Sequence, residues 1–145
     1  MDETYKIYIS QEMEEENIVI KLPVYPEEIE IKKDINNQKY TVLQTGEVTK
    51  YGDTGLRTFN IKSFFPFASD PDVYISIIEK MIQNKIPVRL LINRTAFKKI
   101  LNDINILAVI DSFTYTEKGG EPGDIYYTLK FTEYKEYKAK VISSG

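Results

Sequence analysis

The stretch that most limits what this chain can fold into runs from Ile104 to Tyr137. It holds two long arms, residues 104–116 and 125–134, with the turn-forming segment Glu117 to Asp124 between them. Both arms are rich in β-branched and aromatic side chains, which suit a pleated, half-buried surface. In the second arm Ile125, Tyr127, Leu129 and Phe131 fall on one face, with Tyr126, Thr128, Lys130 and Thr132 on the other. In the first arm Leu107, Val109, Phe113 and Tyr115 are assigned to one face, which Asp111 interrupts. The pattern predicts a long antiparallel hairpin with one buried side. Its connection holds Gly119, Gly120 and Gly123, residues that readily supply positive φ.

The upstream chain reads as more strands and one helix. Thr4–Ile9, Ile18–Leu22, Glu28–Lys33 and Leu56–Phe64 alternate as strands do. Pro23 and Pro26 end the second of these and force an extended or turning path. Gln38 to Lys50 is expected as one longer strand anchored by Tyr40, Val42 and Val48, with a bulge or bend at Gly46. Asn36-Asn37 and Tyr51 to Gly55 are expected turns. Asp70 at an N-cap and Pro71 at the first helical position open a helix. Val73, Tyr74, Ile77, Ile78, Met81 and Ile82 form its apolar stripe, and Pro87 bars its continuation past about Gln83. Pro87–Ile92 reads as a central strand. Arg94 to Asn102 is expected as a short helical turn or ordered loop, because Phe97, Ile100 and Leu101 have helical spacing. The sum is an α+β, mainly β fold. It is expected to be an antiparallel β-sandwich or partly open barrel of about eight strands, with one flanking helix over an opening or edge. One domain is expected over residues 1–140, with 141–145 a tail or the start of a linker.

Composition narrows the chemistry. The chain has 145 residues, 42% of them hydrophobic, and a formal charge of −3. A basic excess is missing, which argues against nucleic-acid binding. No apolar run approaches the roughly 20 residues of a membrane helix, so membrane insertion is not expected, and no secretory signal is visible. There is no cysteine and no histidine, which removes the thiolate, the commonest general base and the commonest transition-metal ligand. No catalytic, cofactor-binding or metal-binding residue is expected. Glu12, Glu14, Glu15 and Glu16 read as a solvated hairpin tip, since the spacing and central glycine of a calcium loop are missing. Gly52 and Gly55 lack the lysine and helix of a phosphate loop. Asp111 reads as a strand-edge residue or a partner for Arg57 or Arg89. The aromatic knot Phe64-Phe65-Pro66-Phe67 reads as core or interface packing. Eleven tyrosines against no tryptophan suit surfaces that meet other proteins.

Three phrases carry a resemblance. The first is Leu22-Pro23-Val24-Tyr25-Pro26-Glu27-Glu28-Ile29-Glu30-Ile31. The second is Gly46-Glu47-Val48 with Gly55-Leu56-Arg57-Thr58-Phe59 and Ser63-Phe64-Phe65-Pro66. The third is Phe113-Thr114-Tyr115-Thr116-Glu117-Lys118-Gly119-Gly120 with Gly123-Asp124-Ile125-Tyr126-Tyr127-Thr128-Leu129 and Glu133-Tyr134. In this order and spacing they resemble the N-terminal domain of LysM-type baseplate proteins of contractile phage tails and diffocin-like R-type bacteriocins, over residues 18–137. The resemblance implies a non-enzymatic structural part, a tube initiator or adaptor between the tail tube and the central hub and spike, with a tube-like fold closed into a hexameric ring. Tail tube protein, hub or spike protein and other baseplate proteins are the partners it implies. It also implies the bacterial cytoplasm during assembly and then the phage or bacteriocin particle. Family members commonly continue into a glycan-binding LysM module, whereas this sequence stops at Gly145, so glycan binding is not carried over. A cell-wall-binding or wall-degrading tail component is the alternative. Phe64, Phe65 and Phe67, with Gly119, Gly120, Gly123, Asp124 and Tyr126, are the expected contact elements of a ring.

Overall fold

A computed structural model describes residues 4–35, 38–42, 46–50, 54–96 and 99–135. The strands are β1 (Thr4–Glu12), β2 (Asn17–Lys21), β3 (Glu28–Ile35), β4 (Gln38–Val42), β5 (Gly46–Lys50), β6 (Thr54–Phe65), β7 (Val88–Ala96), β8 (Lys99–Ile100), β9 (Ile104–Glu117) and β10 (Ile125–Glu133). One α-helix, α1 (Pro71–Asn84), stands between β6 and β7. Eight strands form one open antiparallel sheet in the order β2-β1-β7-β9-β10-β6-β3, with β8 paired to β7. The fold is α+β and mainly β.

A six-residue strap makes this sheet curl. β2 and β3 are the two edges, yet only residues 22–27 join them. Six inter-strand gaps of about 4.8 Å would set the edges of a flat sheet about 29 Å apart. The chain from Lys21 to Glu28 reaches about 25 Å even when fully extended. The strap is also tied at both ends. The Leu22 N–H donates to the Ile7 carbonyl (2.9 Å), and the Glu27 N–H donates to the Lys62 carbonyl (2.7 Å). Between them the Ser63 hydroxyl donates to the carbonyls of Val24 and Tyr25 at 3.3 and 3.0 Å. The strap thus runs from β1 to β6 across the hollow side of the sheet.

The hollow is filled by alternate residues of every long strand. Ile7 and Ile9 from β1, Ile18 and Ile20 from β2, and Leu90 and Ile92 from β7 meet Phe59, Ile61 and Phe65 from β6 and Leu129 and Phe131 from β10 in one buried cluster. β9 serves both halves of the sheet. Its first part pairs with β7 (Leu90 opposite Ile106) and its second with β10 (Leu129 opposite Phe113). The register slips between Lys130 and Phe131, which face Ser112 and Ile110, so Asp111 is the extra residue of a β-bulge. A bulge reverses the in–out phase of the strand beyond it. Ile104, Ile106, Ala108 and Ile110 therefore point inward before it and Phe113 after it, while Leu107 and Val109 lie on the outer face, both exposed. This corrects the face assigned to the first arm. Asp111 is bonded to neither Arg57 nor Arg89; its carboxylate accepts the Thr132 hydroxyl.

Helix α1 plugs the open side. Ile78 and Met81 are fully buried, and Tyr74 stacks on Phe65 with ring centroids 5.0 Å apart. Its apolar stripe is narrower than its sequence, for Val73 and Ile82 remain exposed. Asp70 does stand at the N-cap, but with φ 58° and no side-chain cap bond; that conformation turns the side chain away from the helix N–H groups it was expected to serve. Gln11, almost wholly buried on β1, fixes the other end of the helix. Its amide donates to the carbonyls of Met81 (3.0 Å) and Ile86 (2.8 Å) and accepts from Asn84 (2.7 Å).

Two further expectations give way. Residues 38–50 hold two strands, β4 and β5, in a hairpin whose register sets Tyr40 opposite Val48; residues an unbroken strand would space along one face become cross-strand partners. In place of a helical turn, β7 continues to Ala96, Thr95 pairs with both Thr4 and Ile100, and β8 folds back on it. Backbone pairing on both sides of β-branched Thr95 outweighs the helical spacing, and Ile100 is left exposed. Phe97, the Asn36-Asn37 turn, Tyr51 to Asp53 and residues 136–145 lie outside the described residues.

Replacing Gln11 by Ala should destabilise the fold by about 2–4 kcal/mol, because a buried and a part-buried carbonyl lose their donor and a cavity opens. Urea unfolding checks this. Glu133 accepts from the Arg57 guanidinium at 3.0 Å and from the Arg57 N–H at 3.3 Å. The Arg57 side-chain bond is the main cause that holds its carboxyl below the ordinary 4.5. The stabilisation this provides is complete above the unfolded carboxyl pKa and is lost as pH falls through the lower folded value. Replacing Arg57 by Met should flatten that acid limb of a stability-versus-pH curve, measured by the urea midpoint.

Candidate functional site

The expected contact elements come from two places in the chain, and the sheet register brings most of them together. Ile125 pairs with Phe65 and Tyr126 with Phe64, so the start of β10 and the end of β6 are neighbours. Pro66 cannot extend β6, and a single 3-10 turn, Phe67–Ser69, leads to α1. The Ser69 N–H and hydroxyl both donate to the Pro66 carbonyl, at 2.9 and 2.7 Å. Across from it, the β9–β10 turn is shaped by N–H groups of Glu121 and Asp124 donating to the carbonyls of Lys118 (3.0 Å) and Glu121 (3.3 Å). The Gly123 N–H donates to a Glu117 carboxylate oxygen at 2.8 Å.

The Asp124 carboxylate accepts the Phe67 N–H at 2.8 Å, latching turn to turn. The Phe67 ring lies against Gly123, whose φ is +93°; a Cβ there would come within 2.6 Å of the ring. Among the described residues Gly123 is the one glycine with positive φ. Gly119 and Gly120 stand at the tip with nothing within 4 Å of an added Cβ. Phe64 stacks on Tyr126 at 5.4 Å, and the Lys118 ammonium sits 4.1 Å from the Tyr126 ring centre. The Tyr126 hydroxyl donates to Glu121, and that bond is the main cause that raises the phenol's pKa. The result is an aromatic and charged surface with Phe67 at 70% exposure. Phe65 does not belong to it. Its ring is wholly buried, stacked 4.2 Å from Tyr127 and 5.0 Å from Tyr74, because alternation along β6 sends Phe64 outward and Phe65 inward.

A second surface was not anticipated. Leu107 and Val109 are turned outward ahead of the Asp111 bulge, and Val109 joins Ile82, Ile86, Pro87 and Tyr134 along a groove of about 330 Å³ beside the end of α1. It continues past Leu107, Ser10, Glu12 and Arg89 into a second hollow of about 310 Å³. Glu12 is the one carboxylate lining these hollows. The signal in the sequence was Asp111 itself, a charge in an apolar phase, but two outcomes fit it equally: a buried charge or a phase reversal. A third exposed apolar set, Ile35 and Leu56, lies where β3 and β6 run on together past the end of β10. Gly55 is required there, since a Cβ would meet the Asp34 carbonyl at 2.5 Å.

Among the described residues no group of three or more His, Cys, Asp or Glu residues could hold a metal ion. No helix among them is long and apolar enough to cross a membrane. No family model matches the chain. It is similar to a protein described as "Uncharacterized protein YqbP" from Bacillus subtilis (strain 168), at 34% identity over 142 residues. The match covers 90% of this chain and spans 59% of the length of that relative.

The glycines of the turn should separate sharply in stability. Replacing Gly123 by Ala should cost about 1–3 kcal/mol, from a strained backbone and a displaced Phe67. The same change at Gly119 or Gly120 should stay within about 0.5 kcal/mol. Thermal or urea unfolding of the three variants checks the order.

Proposed function

We propose that this chain is a structural subunit of a contractile-tail baseplate, which joins the tail tube to the central hub or spike by assembling into a ring, without catalysis of its own. The sequence phrases that resemble baseplate N-terminal domains run through the strap, β6 and the β9–β10 hairpin, the parts that shape the sheet and its exposed turn. The observation that carries the reading is the open sheet itself. The outer edges of β2 and β3 have no partner strand among the described residues, and each offers a row of backbone donors and acceptors to another chain. A ring of identical subunits needs two different patches on each subunit, so that one meets the other around the circle. Two edges of one curled sheet meet that requirement. The latch surface around Phe67 and the groove beside Tyr134 supply apolar area of the kind interfaces bury.

The test is assembly with purified tube and hub proteins, followed by sedimentation and cryo-electron microscopy. The chain is expected to enter a closed ring at the tube–hub junction. Replacing Phe67 by Ser, a change at an exposed position, should lower its incorporation while the fold is kept. A chain that stays single with those proteins, and that instead binds or cleaves purified cell wall, would overturn the reading in favour of a wall-directed tail component.

A further inference from the structure

Two pre-organised features of opposite charge lie at opposite ends of the β1–β2 hairpin. The turn between these strands carries Glu12, Glu14, Glu15 and Glu16, all exposed. It is closed by the Met13 N–H donating to the Glu16 carbonyl at 3.0 Å. Helix α1 pins it from the side. The Asn84 amide reaches the Met13 sulfur at 3.2 Å, and Lys80 pairs with Glu16 at 3.5 Å. The backbone of the turn is thus held while Glu14 and Glu15 have no ion-pair partner among the described residues.

The other end of the hairpin is a depression of about 340 Å³, lined by Tyr5, Lys6, Lys21, Pro23 and Tyr25 among others. Its wall is the strap, held by the bonds from Leu22 and Ser63 described above. Lys6 and Lys21 are exposed and have no ion-pair partner among the described residues. Tyr5 and Tyr25 are about half exposed. Two ammonium groups beside two phenols make a site for a carboxylate-bearing loop: the ammoniums pair with the carboxylates, the hydroxyls donate, and the rings cover the aliphatic stems.

We infer that the acidic β1–β2 turn of one copy docks in the Lys6–Lys21 depression of a second copy. Six steps of β1 separate Lys6 from Glu12 and four steps of β2 separate Lys21 from Asn17, so the two features stand about 13–20 Å apart along the strands and one copy does not satisfy itself. Made once per pair of copies, a contact between different patches is head-to-tail, the kind that closes into a ring. Both features are held in place before contact, which lowers the ordering cost of association. Pairs of exposed charges are individually weak, so this contact sets register and speeds encounter more than it supplies affinity. The inference rests on the ring-subunit reading and names one contact within it.

A photo-crosslinker tests it directly. The full chain with Tyr25→benzoylphenylalanine, which keeps an aromatic ring, is irradiated alone at high concentration and after mixing with tube and hub proteins. The expected adduct joins position 25 to the peptide of residues 12–17 from a second copy. Lys6→Glu with Lys21→Glu should lower its yield about tenfold. Mixing that chain with one carrying Glu14→Lys and Glu15→Lys should restore it, with circular dichroism confirming that each variant is folded. An adduct on a tube or hub segment, an adduct elsewhere on this chain, or none in either condition overturns the inference. So does a yield indifferent to charge reversal. Entry into the tube–hub assembly without this adduct leaves the ring reading standing and removes the contact. The adduct without entry into that assembly does the reverse.

Discussion

The fold depends on a length constraint. Strands that lie at the two edges of the sheet are neighbours in sequence, and the prolines between them spend none of the six strap residues on a loose loop. A flat sheet is ruled out by reach alone, so the sheet must turn its apolar face in on itself. Once it does, the alternate residues of β1, β7, β6 and β10 share one interior. The remaining gap is a single helix wide, and α1 fills it with Ile78, Met81 and Tyr74. Ser63 shows how closely strap and sheet are matched. It lies in an otherwise apolar register of β6, between Ile61 and Phe65, and it is buried because its hydroxyl serves the two strap carbonyls. A valine there would fill the space but leave both carbonyls without their donor.

The bulge at Asp111 is the second device. A strand shared by two halves of a curled sheet has to bend, and one extra residue bends it while reversing its phase. Before the bulge β9 faces the core with Ile106 and Ala108; after it, with Phe113. The same reversal places Leu107 and Val109 on the outside, so one residue builds the corner of the fold and also an apolar outer surface. Curvature and exposed hydrophobic area have a common cause here.

Much of this was legible in the residues, and the failures have physical reasons. The β9–β10 hairpin, the helix and its stop near Asn84, and the mainly β class all rest on periodicity over long segments, where the signal accumulates. The phase of β9 was not legible because alternation on either side of Asp111 looks regular until a partner strand fixes the register. Tyr40, Val42 and Val48 share a parity that a single strand and a tight hairpin satisfy equally well. Arg94 to Ala96 follows its partners β1 and β8, and local spacing carries no information about them. In the candidate site, the adjacency of the aromatic knot and the glycine turn was not deducible from either alone. It follows from the pairing of β6 with β10, and the same pairing moves Phe65 into the core beside its two outward-facing neighbours. Of the three glycines in the turn, sequence could not single out Gly123, because its need is created by the Phe67 ring 56 positions earlier in the chain.

The surfaces left over bear on what such a domain is for. A monomer normally blunts its sheet edges, and β3 does carry Lys32 and Lys33. Yet β2 keeps Val19 exposed, β3 keeps Ile31 and Ile35, and the outer face keeps Leu107 and Val109. Scattered single residues of this kind are ordinary. Here several fall into sets, each placed by a feature the fold needs for another reason: the bulge for the groove, the latch for Phe67, and the overhang of β3 and β6 beyond β10 for Ile35 and Leu56. On the proposed reading this is economical. A ring subunit needs several distinct faces, because it meets like copies on two sides and unlike proteins above and below. A fold whose curvature is set by an internal strap need not close its own edges, and it can offer them to neighbours without loss of its core. The charge at the two ends of the β1–β2 hairpin then acts where apolar area does not discriminate, by setting the acidic turn of one copy against the basic depression of the next and opposing registers that place like charges together.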